Sequence, residues 1–549
     1  MLEIQYKTVK TRIPSSAFRV RNPQPATRNG YLSMKIIVIL ALSCILFIHN
    51  LGTIALWDPD EPRQAIMARE MVQRNDYVHP YLNGKPYLEK PPFYSWMIII
   101  ASKIKGDMDE FSSRIPAAIA ATLLLLITYY LGRMLTDPYS GFLSAIVLAT
   151  NYQFLSNARE SVMDMTFAFF IGLTILLNYI SIVRGKRWQF ILSFIPSSLA
   201  TLTKGPAGLV IPACTIFIYL LVKKEFKRFI VPLIGGCFLS IALASIWFLM
   251  AGEEYWKEFI LRQNLTRYTH AFDHIESFYY YFHKLFFNFL PWSILLPFAV
   301  YHAWKKRIWL PLIWFIFTFL FFELSTSKRA IYLLSCYPAC ALLCGIYVRD
   351  EWPWLLKNAW TNLLLKCFAF LLAVIPIVSF IVLRFFTSDT VLAFREGPPS
   401  LYFYIIILFF TGGVFFYMIM RKAENWALTL FIVYLVFVGY FYNAYYMPVM
   451  DRTLKSPRLI TDKLSNLKKD TEIYTYGFSS AGLIFYIGRP IHAFNDIKEI
   501  KQDKNDILLI VEDRPSIHIK GDLDRFYSPV NKARYERDTY TFYVRKDGQ

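Results

Sequence analysis

The chain has 549 residues, 55% of them hydrophobic and 18% aromatic, with a formal net charge of +19 and a mean hydropathy of +0.36. A soluble protein of this length divides into several cores and has no use for repeated apolar runs of about twenty residues, so the composition excludes a soluble enzyme and indicates a polytopic membrane protein. The positive charge does not point to nucleic acid, because its distribution follows the membrane: basic residues crowd the N-terminal tail and alternate short loops, as expected of segments kept in the cytoplasm.

Residues 1–35 form a basic cytoplasmic tail without a signal-cleavage pattern, and Met34 is an alternative start. Apolar runs of spanning length begin near Ile36, Ile115, Gly141, Met165, Trp188, Pro206, Phe229, Asn288, Trp309, Ile331, Leu363, Leu401 and Trp426. About thirteen spans are therefore expected over residues 36–447. With the N-terminus inside, the predicted inner loops carry Arg184, Lys186 and Arg187, then Lys223, Lys224, Lys227 and Arg228, then Lys305, Lys306 and Arg307. An odd number of spans places the C-terminal segment outside.

Two outer loops are long, at residues 57–112 and 252–284, and a third lies near Thr387–Ser400. The first contains an amphipathic piece around Ala65–Val72 and a short apolar one from Phe93 to Ile104, suited to the interface rather than to spanning. Residues 448–549 read as a small outer α/β domain, with strand-like runs at Glu472–Tyr476, Leu483–Ile487, Ile507–Glu512 and Thr539–Arg545 and a helix-like stretch at Asp496–Lys501. All seven cysteines lie in apolar stretches, so no disulfide framework is expected, and Cys336, Cys340 and Cys344 read as small residues on one helix face.

Charge at the outer mouth of the bundle carries the chemistry. Asp58-Pro59-Asp60-Glu61-Pro62-Arg63 follows the first span, and Tyr87-Leu88-Glu89-Lys90-Pro91-Pro92 follows within thirty residues. Charge so near hydrocarbon is costly and marks a working site. Asp60 and Glu61 are candidate acid/base groups, against the alternative of solvated helix caps. Lys90 suits a phosphate as a compact point charge, against snorkelling to headgroups, and Arg63 is a second cation. Asp164, entering a span, needs a partner, either a substrate or Arg159. His270 and His274, four residues apart in the second loop, suit a divalent ion with Glu89 or Asp273 as oxygen ligand, and simple hydrogen bonding among aromatics is the competing reading. Lys328, Arg329 and Tyr332 open an outer helix, where they bind phosphate or merely flank it.

These pieces together resemble bacterial glycosyltransferase family 39, with the closest likeness to the aminoarabinose transferases of lipid A. The likeness rests on Asp60-Glu61 after span one, Tyr87-x-Glu89-Lys90-Pro91, Arg159 with Asp164, Ser327-Lys328-Arg329 with Tyr332 and Pro338, and Phe485-Tyr486-x-Gly488-Arg489. It implies the GT-C membrane fold and a polyprenyl-phosphate sugar donor. It implies a catalytic role for Asp60, a second acidic role for Asp164 and a donor-phosphate contact from Lys90; the residues themselves add Glu61 to the catalytic candidates and Arg63, Lys328, Arg329 and Tyr332 to the phosphate-binding ones. It also implies a zinc ion on Glu89, His270 and His274. Relatives follow Asp-Glu with a residue, then Arg and Tyr, whereas this chain has Pro62, Arg63 and Gln64, which bears on the acceptor.

The expected reaction is an inverting transfer from undecaprenyl phosphate sugar to lipid A or a related envelope glycolipid, on the periplasmic side of the inner membrane, by a monomer using no nucleotide. The absence of a Gly-rich phosphate loop in the sequence accords with that. Transfer to protein Ser/Thr is the alternative. A transporter of lipid-linked saccharide is a third reading, but it calls for paired repeats and helices broken at mid-membrane, and here the charges sit at one rim.

Overall fold

The computed structural model describes residues 27–269, 273–385, 400–464, 471–476, 478–494, 499–500, 507–513, 523, 525–535 and 538–545. Seven helices among them are long and apolar enough to cross a membrane: Glu110–Leu135, Met163–Arg184, Phe226–Ala251, Ala330–Lys357, Ala359–Val382, Leu401–Met420 and Trp426–Lys455. Four shorter apolar helices, Met34–Ile48, Pro138–Ala149, Ala207–Val222 and Trp309–Glu323, lie beside them. The runs expected from Trp188 and Asn288 are broken instead, into Arg187–Leu192 with Ile195–Lys204, and into Tyr280–Asn288, Trp292–Ile294 and Leu296–Lys306. Pro196, Pro291 and Pro297 sit at those breaks, each removing a backbone donor that a continuous helix needs.

Small residues let the central helices approach closely. A Cβ on Gly141 would lie 2.3 Å from the Tyr129 carbonyl oxygen, and one on Gly345 would lie 2.4 Å from Ser144 Oγ. Helices 110–135, 138–149 and 337–357 therefore pack backbone to backbone, the favoured device where lipid supplies no hydrophobic drive between helices.

The loop expected at residues 57–112 forms the helix Asp60–Arg74, the hairpin β1 (Tyr81–Leu82) with β2 (Lys85–Pro86), and the helix Phe93–Lys105. Pro62 falls in the first turn of its helix, where an N–H is dispensable, and Asn75 ends that helix in the left-handed region at φ 52°. The Thr387–Ser400 loop lies almost wholly outside the described residues, as does most of the expected 496–501 helix.

The C-terminal segment carries a five-stranded mixed sheet of β3 (Glu472–Tyr476), β4 (His492–Phe494), β5 (Ile507–Glu512), β6 (Tyr527–Tyr535) and β7 (Asp538–Arg545). The order is β4-β3-β5-β7-β6, with β3 parallel to β4 and β5 and the remaining pairs antiparallel. β5 is buried along its whole length, which explains its unbroken apolar run. Leu483–Ile487, expected as a strand, is part of the helix Ala481–Ile487. Ser480 caps it by accepting from Leu483 N at 3.0 Å, and Gly488 closes it at φ 78°, so the two caps override a β-prone composition.

This sheet and the first loop share one core. Leu56, Ala65 and Ile66 from the loop pack with Ile460, Ile473, Leu483, Phe485 and Phe542. The C-terminal domain thus rests on the helix that begins with Asp60.

Candidate active site

Three carboxylates within four residues, Asp58, Asp60 and Glu61, take three different partners. Glu61 is buried and forms a fork with Arg114, at 2.7 Å from Nε and 2.7 Å from Nη2. Its oxygens also accept from Trp57 N at 3.0 Å and Ser161 N at 2.8 Å. Arg114 spends its other donors on the carbonyls of Leu51, Ile54 and Ala55. This network ties the loop to two spans and leaves Glu61 no face for a substrate, so its geometry is that of a positioning group rather than the acid/base expected of it.

Asp58 turns the other way. It accepts from Ser480 Oγ at 2.5 Å, Gly482 N at 2.8 Å and Tyr535 Oη at 2.9 Å, all in the C-terminal domain.

Asp60 alone stays open. Its side chain is 31% exposed and is met by Arg329 on one oxygen and by Arg63 Nη1 at 3.5 Å on the other. The Asp60 carboxylate strengthens the hold of the Arg329 guanidinium on its proton, against the opposing effect of burial. Arg63 also lies against the Tyr87 hydroxyl, which donates to Glu89 Oε2 at 3.0 Å. Burial, followed by the Glu89 charge, pushes that phenol upward.

Lys90 precedes Pro91, and its ammonium sits 5.9 Å from the Phe259 ring centroid. Loss of hydration, then the charges of Arg267 and Lys204, push the Lys90 ammonium down to about 8. Those two cations were not predicted as site residues. Lys204 ends the helix Ile195–Lys204, pairs with Asp164, and lies 4.0 Å from the Tyr332 ring centroid. Arg267 pairs with Asp273 at 2.7 Å. Gly205, at φ 111°, makes the meeting possible: a Cβ there would lie 2.6 Å from Asn264 Oδ1 and would hold off the second-loop helix that delivers Arg267. The sequence signal was a lysine closing an apolar helix at a Gly-Pro break.

Asp164 does not pair with Arg159, as one reading of the sequence had it. Arg159 instead caps the first span, donating to the carbonyls of Leu46, His49 and Asn50. Lys328 also departs from expectation. It is only 4% exposed, lies 3.3 Å from the buried Glu323, and donates to the carbonyls of Ser277 and Phe278. A side chain so enclosed clamps the second loop and does not reach a phosphate.

The result is a bowl in which Arg63, Lys90, Lys204, Arg267 and Arg329 surround Asp60, Asp164 and Tyr332. Cations outnumber carboxylates, and the field favours an anion beside an exposed carboxylate. For the expected zinc ion, His270 lies outside the described residues. Among the described residues Glu89 and His274 belong to no cluster of three His, Cys, Asp or Glu able to hold a metal.

Comparison with known proteins places the chain among membrane glycosyltransferases. Residues 89–248 match the family described as dolichyl-phosphate-mannose-protein mannosyltransferase. An uncharacterized protein of Aquifex aeolicus is 31% identical over 389 residues, 68% of this chain and 77% of that protein. The undecaprenyl phosphate-alpha-4-amino-4-deoxy-L-arabinose arabinosyl transferase of Pectobacterium carotovorum is 28% identical, over 61% of this chain and 63% of its own length. The chain thus spans somewhat less than two thirds of that transferase. The crystal structure of ArnT from Cupriavidus metallidurans bound to undecaprenyl phosphate superposes with a TM-score of 0.74 at 19% identity, covering 94% of this chain and 98% of that one, which establishes the fold. The chain belongs to the dolichyl-phosphate-mannose-protein mannosyltransferase family, glycosyltransferase family 39, and is a multi-pass membrane glycosyltransferase of the GT-C fold, related to the aminoarabinose transferases.

Proposed function

We propose that this protein transfers a sugar from a polyprenyl-phosphate donor to lipid A or a related envelope glycolipid, on the periplasmic side of the inner membrane. The observation that carries the reading is Asp60, an exposed carboxylate held between Arg63 and Arg329 at the rim of a cationic bowl. A donor of this class keeps its tail in lipid and its anomeric carbon at the surface. Its phosphate falls to Lys90, Lys204, Arg267 and Arg63, where Lys90 is a point charge and the arginines offer forked donors. Asp60 orients the acceptor and takes its proton as the acceptor oxygen bonds to the anomeric carbon. The bond from that carbon to the phosphate oxygen breaks, and the departing polyprenyl phosphate keeps the electron pair, stabilised by the cations. One displacement inverts the anomeric configuration.

Arg329 and Arg63 fix where the Asp60 carboxylate points, while Lys204 balances Asp164 so that neither buried charge stands alone. Purified Asp60→Asn protein is expected to fold as the parent does and to lose ~10²–10⁴-fold in transfer rate, the usual worth of a positioned base. Parent-like transfer by that variant removes Asp60 from the mechanism.

The family match, drawn from proteins named for transfer to protein, favours a protein Ser/Thr acceptor as a second reading. Parallel assays with lipid A and with a Ser/Thr-rich peptide separate the two. Zinc on Glu89, His270 and His274 is part of the proposal as a bound metal only. Elemental analysis of the parent and of a His270→Ala/His274→Ala variant tests it, and a zinc-free parent refutes it.

A further inference from the structure

Gln64 is a buried polar side chain of the helix Asp60–Arg74 that the transfer derived above leaves unused. It is 6% exposed, and among the described residues nothing hydrogen-bonds its side-chain amide. Asn157, Asn178 and Asn443 each have an amide oxygen enclosed without a partner, whereas the Gln64 amide keeps an accessible face. A glutamine amide carries two N–H donors and a carbonyl with two lone pairs. Buried groups of this kind are normally found with partners, and one that lacks them beside a reaction centre, while still facing open space, is placed for a ligand.

The direction of the amide follows from the helix. Gln64 comes one turn after Asp60, ~40° around and ~6 Å along the axis, so the two side chains share a face. Helical side chains lean toward the N-terminus, which tips the amide back toward the Asp60 carboxylate. Ala68 and Met71, one and two turns further along the same line, pack against Tyr94, Ile98, Ile99 and Met163. The first three of these belong to the helix Phe93–Lys105, which starts just after Lys90, and Met163 adjoins Asp164, the partner of Lys204. The face that carries Gln64 is thus turned to the two segments that bring Lys90 and Asp164 into the bowl, with Asp60 at its open end. Ala65 and Ile66, on the other side of the helix, face the C-terminal domain.

We infer that Gln64 lines the sugar subsite and hydrogen-bonds a hydroxyl group of the transferred sugar. The inference rests on the transferase reading and deepens it. In that reading the donor phosphate sits on Lys90, Lys204 and Arg267, and the attacked carbon faces the acceptor at Asp60. The sugar ring then fills the space between them, onto which Gln64 looks. A neutral amide suits that position, because it offers a donor and an acceptor to one hydroxyl or to two neighbouring ones and adds no charge beside Asp60 or the phosphate. Gln64 stands where relatives carry tyrosine, so the amide is this chain's own feature and makes Gln64 a determinant of which sugar it takes.

The deciding measurement is binding, to the purified full-length protein, of bare undecaprenyl phosphate and of undecaprenyl phosphate carrying mannose, glucose or 4-amino-4-deoxy-L-arabinose. Gln64→Met keeps the length of the side chain and removes its hydrogen bonds. The variant should bind the bare carrier as the parent does, and should bind the parent's tightest sugar-bearing donor ~10-fold more weakly, the worth of a hydrogen bond lost inside a site. Equal binding by parent and variant overturns the inference. An equal loss for the bare and the sugar-bearing carrier also overturns it, and assigns Gln64 a structural role alone. Monodeoxy forms of the tightest donor give an arm that starts from the parent. One of them should bind the parent ~10-fold more weakly, and Gln64→Met should bring no further loss with that form. A parent that holds every monodeoxy donor as tightly as the full sugar overturns the contact, as does a loss that adds to that of the variant. A change confined to acceptor KM, with donor binding intact, assigns the amide to the acceptor and overturns the sugar contact. If the parent transfers none of these sugars, the transferase reading fails while the binding comparison still decides Gln64.

Discussion

Replacing Asp58 by alanine should lower kcat while leaving donor binding almost untouched, although Asp58 meets no substrate. The residue lies two positions before Asp60 and joins it to the C-terminal domain through three accepted hydrogen bonds. Bonds to a charged acceptor are worth ~1.5–3 kcal/mol each, but in the variant the Ser480 and Tyr535 hydroxyls turn to water and only Gly482 N–H is stranded. The net loss of docking is then about 2–4 kcal/mol. At 1.36 kcal/mol per tenfold, this caps the effect near ~10³ in rate.

The real loss should be smaller. The domain keeps its shared apolar core, the Arg458–Glu110 pair, and the Tyr486 hydroxyl that donates to Glu110 at 2.8 Å and accepts from Leu56 N at 2.7 Å. A kcat lowered by ~10–100-fold with donor KM within about twofold is therefore expected. Gly482→Ala approaches the same joint from the other side, since its Cβ would lie 2.4 Å from Pro457 Cγ and 2.9 Å from Asp58 Oδ2. The assay is steady-state transfer in detergent, paired with limited proteolysis of the C-terminal domain. Parent-like kcat in Asp58→Ala, with the domain demonstrably loosened, would refute the claim that this domain places Asp60.

Lys90 sets an alkaline limit. Its proton leaves as pH rises through about 8, so kcat/KM should fall above that point. The limb of kcat should lie higher, because bound phosphate favours the charged form, and Lys90→Arg should remove the limb from the measurable range. The sign for stability is opposite: native Lys90 releases its proton below the ordinary lysine value of 10.5, so its penalty on folding eases as pH climbs from about 8 toward that value. Lys204→Met alone leaves Asp164 without its partner in a largely buried place and should cost ~3–5 kcal/mol, read as a lowered Tm. Adding Asp164→Leu should recover the Tm but not the transfer rate. Glu61→Gln breaks the buried fork with Arg114 and should lower Tm by a comparable energy, whereas Asp60→Asn should leave Tm at the parent value.

Elements with a local cause were legible in the sequence. The amphipathic stretch after Pro62, the apolar piece after Pro92, and the strands at 472–476 and 507–512 all follow from periodicity and flanking prolines. The breaks after Trp188 and Asn288 were missed because hydropathy sums over a proline that the backbone cannot ignore. The Leu483–Ile487 error has the same form, a composition outvoted by two caps. Lys204 and Arg267 were hidden for another reason: 63 residues part them, and only the Gly205 break brings their helices together. No one-dimensional pattern records that contact.

The site's division of labour follows from how a helix begins. Successive residues of a first turn point about 100° apart, so carboxylates at adjacent positions cannot share one environment. Asp60 and Glu61 are chemically near-equivalent, yet one sits 31% exposed between two arginines and the other is sealed by Arg114 and two backbone N–H groups. Asp58, just outside the turn, faces the C-terminal domain. The same acidic run thus fixes the loop to the membrane bundle, fixes it to the C-terminal domain, and leaves one carboxylate free between the two anchors. Rigid placement of that group is what the proposed displacement requires, since in it the base meets an acceptor lying opposite a phosphate held by the bowl. A flexible acidic loop with identical charge would attract the same ions and hold none of that alignment.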